Sequence, residues 1–517
     1  MAHKQRQTVS LFEDSTKRYS PFWFYPRPRA LRLGWALSLL LLGGCALVPD
    51  SASTEEQSAP PVTPLALAAT LDQQPLPRAW WTLFNDARLV ELERELVDDN
   101  LDLQRAVARV EQSQARLGVA VSAQGVQLAG SGAYSRSRLS EYSRMAALGA
   151  STDPGDYWSL GAGASWELDL WGQLRHRTRA AGERLLAQQY ALAGAQVSLS
   201  AELARSYLLL RGVQQQLAWA QDELEIRREL LQLQQSRREQ GVATDYDTAS
   251  ARAAVASARA RLPQLREQRD QLMNALALLL GRAPEALNAQ LMAATDLPEL
   301  PQQLPVGVPS ELARQRPDIL AAEAELRAAT ADIAAARADF YPRITLGLGA
   351  GMEAMESADF GSWGSRTFAL GPSLYLPIFQ GGRLRRMLEL TEAGQKEAAI
   401  RYRQRVLSAW HEVDDAIKGY SESRRRYQAL QLARADSAQA LDAVRRARQH
   451  GYASRIAVLQ AQLADLRQQQ ALTDAATAVS LSVVGLYRAL GGGWSDELTA
   501  APATDTGTEE AVPGGEV

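Results

Sequence analysis

The sequence predicts a mostly α-helical protein with a membrane-spanning β component, built as a two-fold internal repeat. Three observations predict it. First, residues recur at one constant shift: Gly172, Leu174 and Arg175 fall on Gly382, Leu384 and Arg385, and Arg238, Gly241, Ala251, Leu276, Leu280 and Gly281 fall on Arg448, Gly451, Ala461, Leu486, Leu490 and Gly491. An offset held from Gly172 to Gly281 marks two structural repeats, each far larger than a solenoid unit. Second, the proline-free stretch 175–238 carries Leu203, Leu210, Leu217, Leu224 and Leu231 at heptad spacing, the seam of a left-handed coiled coil. Third, Tyr157 to Asp169 alternates strictly. Trp158, Leu160, Ala162, Ala164, Trp166 and Leu168 occupy one face, and Ser159, Gly161, Gly163, Ser165 and Glu167 the other. A lipid-facing barrel strand requires that alternation, with aromatic residues near its ends.

The chain of 517 residues begins with a basic leader (Lys4, Arg6, Lys17, Arg18, Arg27, Arg29, Arg32) before the apolar run Leu33 to Leu42. This reads as an export signal over residues 1–44, because the run falls short of the ~20 apolar residues that a transmembrane helix needs. It stops at Leu42-Gly43-Gly44-Cys45, which resembles a bacterial lipobox, where the cysteine is diacylated and becomes the first mature residue. Ala46 stands where an inner-membrane retention signal would often place Asp, which favours the outer membrane. Cys45 is the single cysteine, so no intramolecular disulfide and no multi-thiolate zinc site is available. Residues 45–79, rich in Pro, Ala, Ser and Thr, are expected to be the lipidated N-terminus and a flexible tether. Residues 495–517 hold acids and no base and are expected to form a disordered tail.

Between them lie the repeats, 80–290 and 291–494. Each is expected to start with a helix (about 85–122 and 311–340) that leads into a short strand (Val126 to Tyr134, Ile344 to Met352). A loop and a second strand follow, Tyr157 to Asp169 in one repeat. In the other, Phe368, Leu370, Pro372, Leu374 and Leu376 alternate less cleanly because of Pro372. Next come a very long helix, a glycine turn and a last helix ending at Leu280-Gly281 or Leu490-Gly491. At ~1.5 Å per residue the long helix is near 95 Å, so such helices must lie side by side. Pro263 predicts a kink or break in the helix it interrupts.

Four strands cannot close a barrel, and open edges in lipid leave backbone groups unpaired. Two chains would give eight strands with a side-chain-filled interior, and three would give twelve strands around a pore. The bland alternative is a pair of two-stranded caps on a soluble coiled coil.

Chemistry-bearing motifs are lacking. Apolar residues make up 46% and charged ones 22%, and 56 bases against 59 acids leave a formal charge of −3, which argues against nucleic-acid binding. The four histidines (His3, His176, His411, His450) are scattered without HExxH or a Cys partner, and no GxxxxGK[ST] or GxGxxG occurs where a strand feeds a helix. No catalytic site, cofactor or metal is expected.

Several stretches, in order over roughly 80–494, resemble the TolC-like outer-membrane efflux protein family, specifically its lipoprotein branch. They are Trp80-Trp81-Thr82-Leu83-Phe84-Asn85-Asp86, Asn100-Leu101-Asp102-Leu103 with Ala106 and Arg109, Leu168-Asp169-Leu170-Trp171-Gly172, and Leu262-Pro263 with Asn274-Ala275-Leu276-Ala277. Leu376-Pro377-Ile378-Phe379 with Gly381-Gly382 matches too. The most specific is Arg316-Pro317-Asp318-Ile319 with Ala322-Glu323, continuing to Phe340-Tyr341-Pro342. The resemblance implies a homotrimer with a twelve-stranded outer-membrane barrel continuous with a periplasmic helical barrel. It also implies a periplasmic adaptor (membrane fusion) protein, an inner-membrane pump of the RND class, contact with outer-membrane lipid, and passive export of drugs or other toxic compounds.

By the same resemblance, the turns at Gly241 and Gly451 close the periplasmic end. Where the family narrows the pore with acids after the second glycine, this chain has Ala457 and Gln460, while Ile456 sits where a hydrophobic constriction is common. The expected gate set is Asp245, Asp247, Arg448, Arg455, Ile456 and Gln460, with Asp247, and Asp245 beside it, latching to Arg448 or Arg455 of a neighbouring helix. Trp158 and Trp166 are the expected lipid-facing girdle. The rival functions are a type I secretion outer-membrane channel and a periplasmic coiled-coil adaptor; the adaptor would need a lipoyl-like domain, which this pattern does not offer.

Overall fold

A computed structural model of the chain describes residues 76–301, 303–306 and 316–494. The export signal, Cys45, the tether as far as residue 75 and the tail from 495 lie outside the described residues. The main elements are helices α1 (Ala87–Asp99) and α2 (Leu101–Ser122), strands β1 (Gln127–Ser137) and β2 (Gly155–Leu168), and helices α3 (Gln173–Glu239) and α4 (Asp245–Leu279). The second half repeats them as α5 (Pro317–Ala338), β3 (Arg343–Ala354), β4 (Arg366–Tyr375), α6 (Arg383–Gln449) and α7 (Arg455–Leu490).

The duplication is metrical. Helices α3 and α6 are both 67 residues long, and each starts after a glycine in the left-handed region, Gly172 at φ 78° and Gly382 at φ 85°. Their first residues, Gln173 and Arg383, stand 210 apart, whereas β1 and β3 start at Gln127 and Arg343, 216 apart. The six-residue difference lies in the strand connections, because 138–154 is longer than 355–365 by that amount.

Two expectations change, the single first helix and the break at Pro263. The single helix expected over 85–122 is two, divided at Asn100, whose backbone is extended (φ −68°, ψ 123°). Its side-chain oxygen accepts from the Leu103 N–H at 2.9 Å, and its amide donates to the Leu279 carbonyl at 2.7 Å. A short amide that caps the next helix and also satisfies the end of α4 outcompetes one helical turn. Conversely, Pro263 does not break its helix, since α4 runs through it. Leu262 and Leu265 on either side pack with Ala258 against Ala220 and Leu224 of α3, and this burial offsets the ~3 kcal/mol an interior proline costs.

The core lies at mid-length of the long helices. Leu89, Leu92 and Leu96 of α1, Leu203, Tyr207 and Leu210 of α3, Leu276 of α4, Ile417 of α6 and Val483 and Leu486 of α7 are buried in one cluster. Trp80 stacks on Tyr487 with ring centroids 5.5 Å apart and planes 5° from parallel. Helix α3 packs along α2, α4, α5 and α7, and α6 along α5 and α7. Of the heptad leucines, Leu203, Leu210 and Leu224 are buried and Leu217 and Leu231 partly so. Among the described residues no helix is long and apolar enough to cross a membrane.

The strands form one antiparallel sheet in the order β1-β2-β3-β4. The two hairpins therefore join through β2 and β3, leaving β1 and β4 as edges.

Candidate functional site

Two regions of the chain bring the expected site residues together, the sheet and the helical tips. Directly opposed residues in an antiparallel pair share a face, so the register decides whether the alternation of each strand is in phase with the others. Tyr134 faces Trp158, which faces Ala354; Leu128 faces Ala164, which faces Leu348, which faces Leu370; Trp166 faces Leu346, which faces Pro372. Ala350 faces Phe368 in the same way. All four strands thus put their large aliphatic side chains and both tryptophans on one side. The other side is mostly Gly, Ala, Ser and Thr, from Ser131 and Gly161 to Gly347 and Gly371, and carries Tyr157, Glu167, Glu353 and Tyr375 toward its ends. Pro372 is tolerated because β4 is an edge strand.

Among the described residues the apolar face lies largely uncovered: Phe368 is 88% exposed and Leu370 77%. Trp158 and Trp166 sit toward opposite ends of β2. Trp158 packs against Tyr134 and Phe360, and the Trp166 indole N–H donates to the Gln124 carbonyl at 3.0 Å.

Two of the quoted motifs meet where the sheet joins the helices. The Asp169 carboxylate accepts the backbone N–H groups of Leu174 at 3.1 Å and Arg175 at 2.9 Å, capping α3 in place of a cap from Gly172. The Trp171 indole stacks on Tyr341 and donates to the Pro342 carbonyl at 2.7 Å. Asp339 accepts from Gln173 and, at 2.5 Å, from Arg343. The Leu168–Gly172 and Phe340–Pro342 motifs are therefore one joint, fixing the strand-to-helix angle of the two repeats. At mid-body, the buried Arg316 donates to the Ala489 carbonyl at 2.7 Å and pairs with Asp318 at 2.9 Å and Glu412 at 2.7 Å, which ties α5 to both α6 and α7.

At the far end from the sheet, Gly241 (φ 74°) and Gly451 (φ 80°) turn each long helix into its successor. Thr244 and Asp247 form a reciprocal capping box: the Asp247 carboxylate accepts the Thr244 N–H at 2.9 Å and its hydroxyl at 2.7 Å, and the Asp247 N–H donates to the Thr244 oxygen at 3.2 Å. These bonds hold the Asp247 carboxyl below the usual carboxylate range. Asp245 pairs with Arg238 across the same turn at 2.7 Å.

Within the subunit, then, the expected pairing of Asp247 or Asp245 with Arg448 or Arg455 is not formed, because both acids are taken up by their own turn. Arg455, the first residue of α7, instead reaches α3 and grips Glu229 through two bonds of 2.5 and 2.7 Å. The Arg455 guanidinium, helped by Arg448, holds the Glu229 carboxyl below its usual range. Ile456 is half-buried beside this pair and Gln460 is exposed. Glu229 escaped the sequence reading because it lies among Glu223 and Glu225 on a charged helical stretch, with nothing local to set it apart. Tyr246 and Tyr452 project into solvent at the turns, 79% and 88% exposed.

The sequence pattern of the outer membrane efflux protein family matches residues 92–282 and 308–492. Among relatives, outer membrane protein OprJ of Pseudomonas aeruginosa is 34% identical over 475 residues, covering 91% of this chain and 97% of OprJ. The pyoverdine export outer membrane protein OpmQ of the same organism is 32% identical over 462 residues, covering 89% of this chain and 96% of OpmQ. Among solved structures, the outer-membrane channel OprN superposes with a TM-score of 0.76 at 30% identity, covering 84% of this chain and 98% of that one.

Proposed function

Since the chain belongs to the outer membrane efflux protein family and serves as the outer-membrane channel of a tripartite efflux pump, extending into the periplasm, we propose how its parts perform that role. Three copies associate so that β4 of each pairs with β1 of the next, closing a twelve-stranded barrel. The apolar face meets lipid, with Trp158 and Trp166 as its two interfacial belts, and the Gly, Ser and Ala face lines the lumen. The observation that carries this reading is the shared phase of all four strands together with two unpaired edges. An isolated sheet in lipid would leave both edges unsatisfied, and closure with copies removes them.

Helices α3, α4, α6 and α7 continue the tube through the periplasm toward an adaptor protein and an inner-membrane pump of the RND class. Cys45 carries the lipid anchor, and residues 45–79 tether it to the body. Transport through this subunit is passive. OpmQ is named for export of pyoverdine, and this chain is proposed to export drugs or other small toxic compounds chosen by the inner-membrane component. A wide lumen lined at mid-height by Gly, Ser and Ala, with Tyr157, Glu353, Glu167 and Tyr375 only toward its ends, offers little to recognise a cargo.

At the tips, Arg455 and Glu229 hold α7 against α3 and keep the entrance narrow, with Ile456 as the apolar constriction and Gln460 facing the opening. Asp245 and Asp247 stiffen the first turn, and Arg448 reinforces the charge on Glu229. A single exposed pair contributes only about 0–1 kcal/mol, and three related pairs around the opening act together.

Purified protein should run as a heat-modifiable trimer from the outer membrane and conduct poorly in a planar bilayer. Glu229→Gln with Arg455→Ala should raise the conductance several-fold. Recovery as a soluble periplasmic monomer would overturn the channel assembly, and unchanged conductance would overturn the latch. Cys45→Ala should abolish labelling by radioactive palmitate.

A further inference from the structure

At the external rim of the apolar face, the cation Arg366 has no acid to answer it. The helices leave the sheet at one end and run into the periplasm, so connections 138–154 and 355–365 lie at the outer surface. At that end Arg366 opens β4 opposite Met352, on the apolar face, with Phe368 and Leu370 next along the strand. Its guanidinium lies over the Trp363 ring, 3.7 Å from the centroid, and Trp363 is itself 79% exposed. The other rim arginine on this face, Arg136, is engaged by Asp156 at 3.4 Å, and Arg138 in the loop by Glu141 at 3.3 Å. Among the described residues, no carboxylate stands within ion-pairing distance of Arg366.

An exposed cation at the edge of an apolar band, held flat on an indole, is a poor arrangement for water and a good one for a headgroup. The ring fixes the plane of the guanidinium, which leaves its outward N–H groups free to grip a phosphate with two parallel bonds. The apolar residues beneath it match acyl chains at the same depth, and Trp363 belongs at the level of lipid headgroups. We propose that Arg366 and Trp363 form a binding site for the phosphorylated glycolipid of the outer leaflet, one per subunit, with the phosphate on Arg366 and an acyl chain along Phe368 and Leu370. This rests on the reading that the sheet spans the outer membrane with this face toward lipid.

The test uses the full-length assembly in detergent, titrated with lipid A bearing both phosphates and with lipid A stripped of them, with bound lipid counted by native mass spectrometry. The intact protein should retain the phosphorylated lipid at least tenfold more tightly than the stripped one. Arg366→Gln should erase that preference, Trp363→Ala should weaken it, and Arg366→Lys should restore part of it, all with heat-stable trimers. An assembly that forms normally yet binds the two lipids alike, or keeps its preference in Arg366→Gln, overturns the site alone. A chain that never associates with the outer membrane overturns the underlying reading and the site with it.

Discussion

The helical body and the sheet are made by the same two repeats, yet they are completed in different ways. In the body the repeats bury each other: Trp80 stacks on Tyr487, Arg316 spans from α5 to α6 and α7, and Trp80, Phe84, Tyr207 and Tyr487 are fully enclosed within one subunit. In the sheet the repeats join through β2 and β3, but every residue of β1 is exposed and Phe368 and Leu370 stand open. One region is completed within the chain and the other is left open by it. The duplication therefore supplies a scaffold whose core is completed within one chain and which presents an unfinished sheet, and in the proposed assembly lipid and further copies finish it.

The comparison is broken most severely at the body. Trp80→Ala removes a fully buried indole and its stacking partner, a loss of about 3–5 kcal/mol. The thermal midpoint should fall in detergent and in vesicles alike, as read by circular dichroism. Next is Leu370→Arg on the open face. It should cost about 2–4 kcal/mol where the face meets the bilayer midplane and almost nothing to the helical body. Urea-driven folding into vesicles, set against helix content in detergent, separates the two effects.

The third prediction sharpens the contrast through pH. Glu93 is buried in α1, with neither carboxyl oxygen hydrogen-bonded among the described residues. Burial pushes its carboxyl well above the usual range, and the nearby Ser200 hydroxyl only partly opposes that. A raised folded value means that stability is fully present below the unfolded value near 4.5 and is lost as pH rises through the folded one. Glu93→Gln should flatten the decline of the thermal midpoint on the alkaline side, while lipid-dependent folding of the sheet stays unchanged. The smallest effect belongs to the tip. Thr244→Ala removes one side of the capping box and should cost about 1 kcal/mol, read as earlier hydrogen exchange confined to the start of α4.

Much of this was legible in the sequence where the signal was periodic. The leucine heptads and the glycine spacing placed α3 and its turn within a few residues, and the alternation from Trp158 to Leu168 identified the apolar face. Signals that depend on a distant partner were not legible. Asn100 ends a helix because its amide meets Leu279, and Pro263 is carried through because Leu262 and Leu265 pack on α3. Glu229 matters through Arg455, far away in the chain. Asp247 stands out by its place in a turn, where the capping box with Thr244, three residues before it, is the nearer use of its charge.

The central claim, that the open sheet is closed by two further copies, is tested most directly by cross-linking its edges. Ser131→Cys in β1 combined with Ala369→Cys in β4, with neighbouring pairs on the same small-residue face to sample the register, should form disulfides between copies when outer membranes are oxidised. The expected result on a non-reducing gel is a ladder that stops at the trimer and is absent from each single variant. Monomers alone across the whole set of pairs, or a ladder that continues past three, would contradict the closed twelve-stranded barrel.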